Sequence, residues 1–191
     1  MMARPRKDES IPSGDARMVT AFWKQLAKGS YKSITVASIV REAGLNRATF
    51  YYYFDSIDDL ARRAVATSIP VNLIDLVEGF LTGAHASLQL DSATRESIAR
   101  LSLVAGDASA NVLIMQFKQV LQEIWIRRFH VDVSRSDVQA IITFMASGVS
   151  GILGAWIRKP IDEKFDAYLQ SISQVFSKSV LEFVATYKSA E

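Results

Sequence analysis

Residues 35–60 read TVASIVREAGLNRATFYYYFDSIDDL, and their spacing predicts three short helices separated by two tight breaks. Thr35 can cap the first helix, because its hydroxyl accepts from amides that a first turn leaves unpaired. Val36, Ile39, Val40 and Ala43 then fall on one apolar face at helical spacing. Gly44 stops that helix at a position needing left-handed backbone. Leu45 plugs the turn, and Asn46 caps a second helix over residues 47–53 that carries an arginine, a threonine and three consecutive tyrosines. Ser56 followed by Asp59 opens a third helix, with acids in the first turn where the helix dipole favours them.

Upstream, residues 15–28 are amphipathic, with Met18, Val19, Phe22, Trp23 and Leu26 predicted to face inward and to back the other two helices. Helix, glycine turn, then a helix rich in hydrogen-bonding side chains is the helix-turn-helix pattern, whose second helix lies in the major groove of DNA. The charge agrees. Residues 1–54 hold nine Lys/Arg against four Asp/Glu, a net +5, whereas residues 55–191 hold thirteen against sixteen, a net −3. A basic end on a near-neutral body suits a polyanion contact confined to that end. Residues 1–13 contain two prolines and mixed charge and predict a flexible arm, in which Arg4, Arg6 and Lys7 either reach phosphates or stay solvated.

The ordered run Thr35, Val36, Ile39, Ala43, Gly44, Leu45, Asn46, Thr49, Phe50, Tyr51, Tyr53, Phe54, Ser56 and Leu60, preceded by Tyr31, resembles the DNA-binding signature of the TetR/AcrR transcriptional regulators. The resemblance implies a three-helix DNA-binding domain over residues 14–60. It also implies a helical effector-binding and dimerisation domain over 61–191, about nine helices in all. Among the residues that point away from the head core, Arg47 can donate two bonds to a guanine, and Thr49 and Tyr52 can meet base edges or thymine methyls. By resemblance, Tyr51, Tyr53 and Thr35 would touch phosphates, with Asn46 at the start of the same helix. Phe50 and Phe54 are assigned to the head core. One departure stands out: many family members carry a phosphate-holding lysine where this chain has Ile57. Asp55, Asp58 and Asp59 nearby add repulsion, so Lys32 or Arg41 would have to substitute.

Beyond the head the periodicity stays helical. The predicted helices cover 71–90 after Pro70, 93–105 ending at Gly106, 112–128 capped by Asn111, about 134–158, and about 162–188. In the fourth of these, residues 140–157 run eighteen positions without a charge. That is near the lower length for a membrane span, but three glycines with Thr143, Ser147 and Ser150 favour a helix buried between protein partners. Ser147, Gly151 and Ala155 put small side chains on one of its faces. The last helix keeps Ile172, Val175, Phe176 and Phe183 on a broad apolar stripe. Two such helices from each of two chains would form a four-helix bundle about a two-fold axis, as the resemblance also implies.

No cysteine is present, the two histidines stand 45 positions apart, and no nucleophile–base spacing or phosphate-cradling glycine loop occurs. Disulfide, metal, cofactor and enzyme chemistry are therefore not expected. Nor is a signal peptide, and a cytoplasmic protein is. The resemblance implies an effector pocket in the helical body, for which Phe80, His85, Met115, Trp125, Phe144 and Trp156 are the candidate lining residues. The expected function is a ligand-responsive transcriptional regulator, a repressor released from a palindromic operator by a small-molecule inducer. The alternative, motivated by Ile57, is a helical adaptor of the same fold with weak or lost DNA binding.

Overall fold

The computed structural model describes residues 12–69, 79 and 90–187, apart from the side chains of 174–177, 179–181, 183 and 184. The described residues form eight α-helices, two short 3-10 turns and no strand. The chain divides into two units, Met1–Ala64 and Val65–Glu191.

In the first unit, α1 is Gly14–Lys28, α2 Val36–Ala43, α3 Arg47–Tyr53 and α4 Ile57–Thr67, with a 3-10 turn at Tyr31–Ser33. Helix α1 packs on α2 and α3, which also pack on each other. Met18, Phe22, Leu26, Ile39, Phe50 and Leu60 are fully buried between them, and Val19 is only half-buried. Phe22 meets Trp23 edge-on at 5.1 Å, and Phe50 lies 5.8 Å from Phe54. Glu42 ties α2 to α1: it accepts from Gln25 at 3.3 Å and sits 3.7 and 3.8 Å from Lys24 and Lys28.

In the second unit, α5 is Ser92–Ala105, α6 Asn111–Phe129, α7 Ser136–Gly154 and α8 Glu163–Tyr187. Helix α7 packs on α5 and α6, burying Val138, Ile142, Met145, Ala146, Ser150 and Leu153. Helix α8 runs antiparallel to α7. Trp156, just past the end of α7, meets Phe165 and Tyr168 near the start of α8, while Arg135 stacks over Tyr187 at its far end. The start of α8 is fastened by Arg95, which donates to both carboxylate oxygens of Asp166 at 2.6 and 3.1 Å and to the carbonyls of Ile161 and Leu90.

Several expectations are corrected here. Asn111 is not the cap of α6 but its first residue. The turn before it is closed by Asp107, whose carboxylate accepts from the Ser109 amide and hydroxyl. Ser134 does not open α7, because its amide and hydroxyl donate to Asp132, and the helix begins at Ser136 and ends at Gly154 rather than Arg158. Gly106 follows α5 in ordinary right-handed backbone, so what it supplies is space: a Cβ there would stand 2.6 Å from that of Ile157. Met115 and Phe144, expected to line the effector pocket, are 71% and 64% exposed. Apart from residues 79 and 90, the predicted helix over 71–90, with Phe80 and His85 in it, lies outside the described residues, as does the arm before residue 12.

Helix α7 is long and apolar enough to cross a membrane by length and composition, yet 39% of its apolar window is buried within the chain. The exposed positions on it and just past its end include Phe144, Gly148, Gly151 and Ala155. These recur at intervals of three and four and so define one uncharged face.

Candidate nucleic-acid interface

The geometry of α3 follows from its ends. The Thr35 hydroxyl accepts from the Ser38 amide and the Ser38 hydroxyl accepts from the Thr35 amide, both at 3.1 Å, a reciprocal box that starts α2. Gly44 then takes φ 62° and ψ 40°, left-handed backbone in which a Cβ is strained. In that conformation the Leu45 amide turns back to the Val40 carbonyl at 2.8 Å. Asn46 Oδ1 accepts from the Thr49 amide at 2.8 Å and from the Thr49 hydroxyl at 3.0 Å, so α3 starts from a side chain that satisfies two donors.

Three faces of this seven-residue helix are then distinct. Phe50 is sealed in the core. Thr49 and Tyr53, four apart, lean toward the first residue of α1, where a Cβ on Gly14 would come within 3.6 and 3.0 Å of them. Arg47, Ala48, Tyr51 and Tyr52 point outward, with Tyr52 78% exposed and Tyr51 58%. Tyr53 is 41% exposed and meets the Tyr52 ring edge-on at 4.8 Å. Of the three adjacent tyrosines, Tyr51 and Tyr52 thus point outward and Tyr53 is braced against the start of α1. Ala48 was missed in the sequence. It lies one turn before Tyr52, and its small side chain permits the close approach that contact with a thymine methyl needs.

The acids around Ile57 are mostly engaged within the unit. Asp58 accepts from the Tyr31 hydroxyl. Asp59 accepts from the Asp55 amide at 3.2 Å and pairs with Arg62 at 3.4 Å, while the Ser56 hydroxyl accepts from the Asp59 amide. These bonds draw the Asp58 and Asp59 charges into the start of α4, where the dipole stabilises them. Ile57 itself is half-buried, and Lys32 and Arg41 are exposed. Among the described residues no cluster of three metal-ligating side chains occurs.

A capped α2, a left-handed glycine and a short helix with outward arginine and tyrosines on an all-α unit define a helix-turn-helix DNA-binding regulator. Residues 19–64 match the family model for bacterial regulatory proteins of the tetR family. The match lies within the N-terminal unit, which therefore carries the DNA-binding domain of that family. No curated protein sequence matches it. Among solved structures it is similar to the fatty acid degradation regulator FadR from Bacillus halodurans, at 13% identity and TM-score 0.52 over 91% of this chain and 97% of that one. It is also similar to NalD, the secondary repressor of the MexAB-OprM multidrug efflux pump in Pseudomonas aeruginosa, at 14% identity and TM-score 0.50 over 88% and 95%. At these identities the likeness is one of fold.

Proposed function

We propose that this chain is a cytoplasmic repressor that binds a palindromic operator as a homodimer and leaves it when a small molecule occupies its helical unit. The observation that carries the DNA half is α3 itself: Arg47, Ala48, Tyr51 and Tyr52 outward over a buried Phe50, on a helix with both ends defined. Arg47 and Tyr52 are assigned to bases, Tyr51 and Tyr53 to phosphates. Thr35 and Asn46 serve as caps whose remaining donors face the backbone of the duplex. Thr49, whose hydroxyl is already bonded to Asn46, contributes its methyl.

The dimer is assigned to the uncharged face of α7, with Gly151 and Ala155 exposed and Ser147 half-buried, together with Ile172 of α8. Val175, Phe176 and Phe183, assigned to the same face by their spacing, have side chains outside the described residues. Phe144 suits this face better than a pocket, since it is exposed and one turn from Gly148. A second copy would cover apolar surface that the single chain leaves in water, and burial of such surface drives association.

For the effector, Trp125 remains as a buried candidate, and Trp156 as a half-buried one whose indole N–H donates to the Pro160 carbonyl. Ser102 joins them. Its hydroxyl oxygen is fully buried without a hydrogen-bond partner among the described residues, a group that a polar ligand atom would satisfy. A ligand releases the operator only by its differential affinity for the bound and released arrangements.

Titration against the intergenic duplex upstream of the chain's own coding region, at several salt concentrations, tests the reading. Expected is a steep fall of log K with log salt and preference for that duplex over random sequence. Weak, flat and unspecific binding would favour the adaptor alternative.

A further inference from the structure

Arg17 is a cation of the DNA-binding unit whose guanidinium is directed into the unit. Its Nη2 donates to the Ala43 carbonyl at 2.5 Å and to the Gly44 carbonyl at 3.2 Å, across 26 and 27 positions of sequence. Carbonyls that end a helix lack intrahelical donors and carry the negative end of its dipole. A guanidinium there satisfies a hydrogen-bond need and a charge preference together. The turn is shaped to admit it, since a Cβ on Gly44 would lie 3.0 Å from Arg17 Nη2. Three residues earlier on the same helix, Gly14 makes the close approach to Thr49 and Tyr53. The first turn of α1 therefore touches both the turn that launches α3 and one side of α3.

We infer that Arg17 is a positioning residue for DNA recognition: it clamps the α2–α3 turn and so sets the angle at which the recognition helix leaves it, without touching the duplex. The inference rests on the reading of α3 as the DNA-reading helix. Without the clamp the turn samples several geometries, and binding a specific sequence must select one of them. Contacts to phosphate, which dominate unspecific binding, demand no such order. A positioning role and a phosphate contact thus leave different signatures. The first reduces preference for the chosen sequence at constant salt dependence; the second weakens all duplexes alike and flattens the salt slope.

The test compares wild type with Arg17→Met, which keeps an apolar stem but no donors, and Arg17→Lys, which keeps the charge without the planar fork. The probes are a duplex enriched by the wild-type protein from a randomised pool, and the unselected pool itself. Arg17→Met is expected to bind the enriched duplex roughly ten- to a hundredfold more weakly, the scale of losing hydrogen bonds to a charged group. Its affinity for the unselected pool and its salt slope should stay at wild-type values, with Arg17→Lys in between. In the free proteins, amide exchange at Leu45, whose N–H reports the turn, should accelerate in Arg17→Met. Exchange at Ile39, bonded to the Thr35 carbonyl at the other end of α2, should not, which also verifies folding. Equal losses on both probes with a slope shallower by about one unit overturn the inference in favour of a phosphate contact. So do an unchanged affinity and an unchanged Leu45. A wild type that enriches no sequence sinks the DNA-reading role itself, while Leu45 exchange still decides whether Arg17 holds the turn.

Discussion

Tyr31 and Ser102 are single hydroxyls in opposite situations. The Tyr31 hydroxyl donates to Asp58 and so bridges the 3-10 turn to the start of α4. Burial first, and then the bond to Asp58, push its pKa well above the ordinary 10.0. A group whose pKa is raised on folding contributes stability fully present below its unfolded pKa and lost as pH rises beyond it. The stability difference between wild type and Tyr31→Phe should therefore stay level from neutral pH to about 9 and shrink above about 10. Denaturant melts across that range check this, and a difference that grows on the alkaline side would contradict it. The Ser102 hydroxyl has no hydrogen-bond partner among the described residues, so its burial leaves a polar atom unsolvated. Ser102→Ala is expected to raise the stability of the ligand-free protein by about 1 kcal/mol, read as a higher denaturant midpoint at constant m. A lower midpoint would mean that the hydroxyl is satisfied after all.

At the scale of the element, α7 separates two uses of glycine. A Cβ on Gly154 would stand 2.9 Å from the Ala105 carbonyl, so the ends of α5 and α7 meet backbone to backbone. A Cβ on Gly148 would meet nothing within 4 Å. Gly154→Ala should destabilise by about 1–3 kcal/mol through overpacking. Gly148→Ala should stabilise the single chain by up to about 1 kcal/mol, because alanine restricts the unfolded helix segment. Equilibrium unfolding of both variants at low protein concentration provides the comparison, and equal effects of the same sign would rule out the assignment.

For the whole molecule, the dimer face proposed on α7 would tie stability to assembly. Phe144→Glu places a charge where the proposed dimer would exclude water, and charges are depleted at the core of such interfaces. The variant should sediment as a monomer, and its Tm should no longer rise with protein concentration as that of a coupled dimer does. Unaltered mass and an unaltered concentration dependence would remove α7 from the interface.

What could be read from the sequence alone is what depends on near neighbours. Thr35, Gly44 and Asn46 act within three or four residues of themselves, and their caps and left-handed turn follow from residue type. The periodicity of 36–43 likewise points to the buried Ile39, Val40 and Ala43, because polar positions interrupt the apolar ones. Helix α7 offers no such contrast: with eighteen uncharged residues in a row, no periodicity marks its buried side, and Phe144, read as a pocket residue, lies exposed. Met115 on α6, read as a pocket residue, is likewise exposed. Asn111 and Ser134 have the residue type of caps, but Asp107 closes the turn before α6 and Asp132 takes the Ser134 donors in the turn before α7, because neighbouring polar side chains compete for the same local donors. The clamp of Arg17 on Ala43 and Gly44 and the meeting of Gly154 with Ala105 join residues far apart in the chain. Local chemistry set the helices and their ends, whereas which faces meet was decided only by folding, because that choice is made by distant surfaces competing for one another.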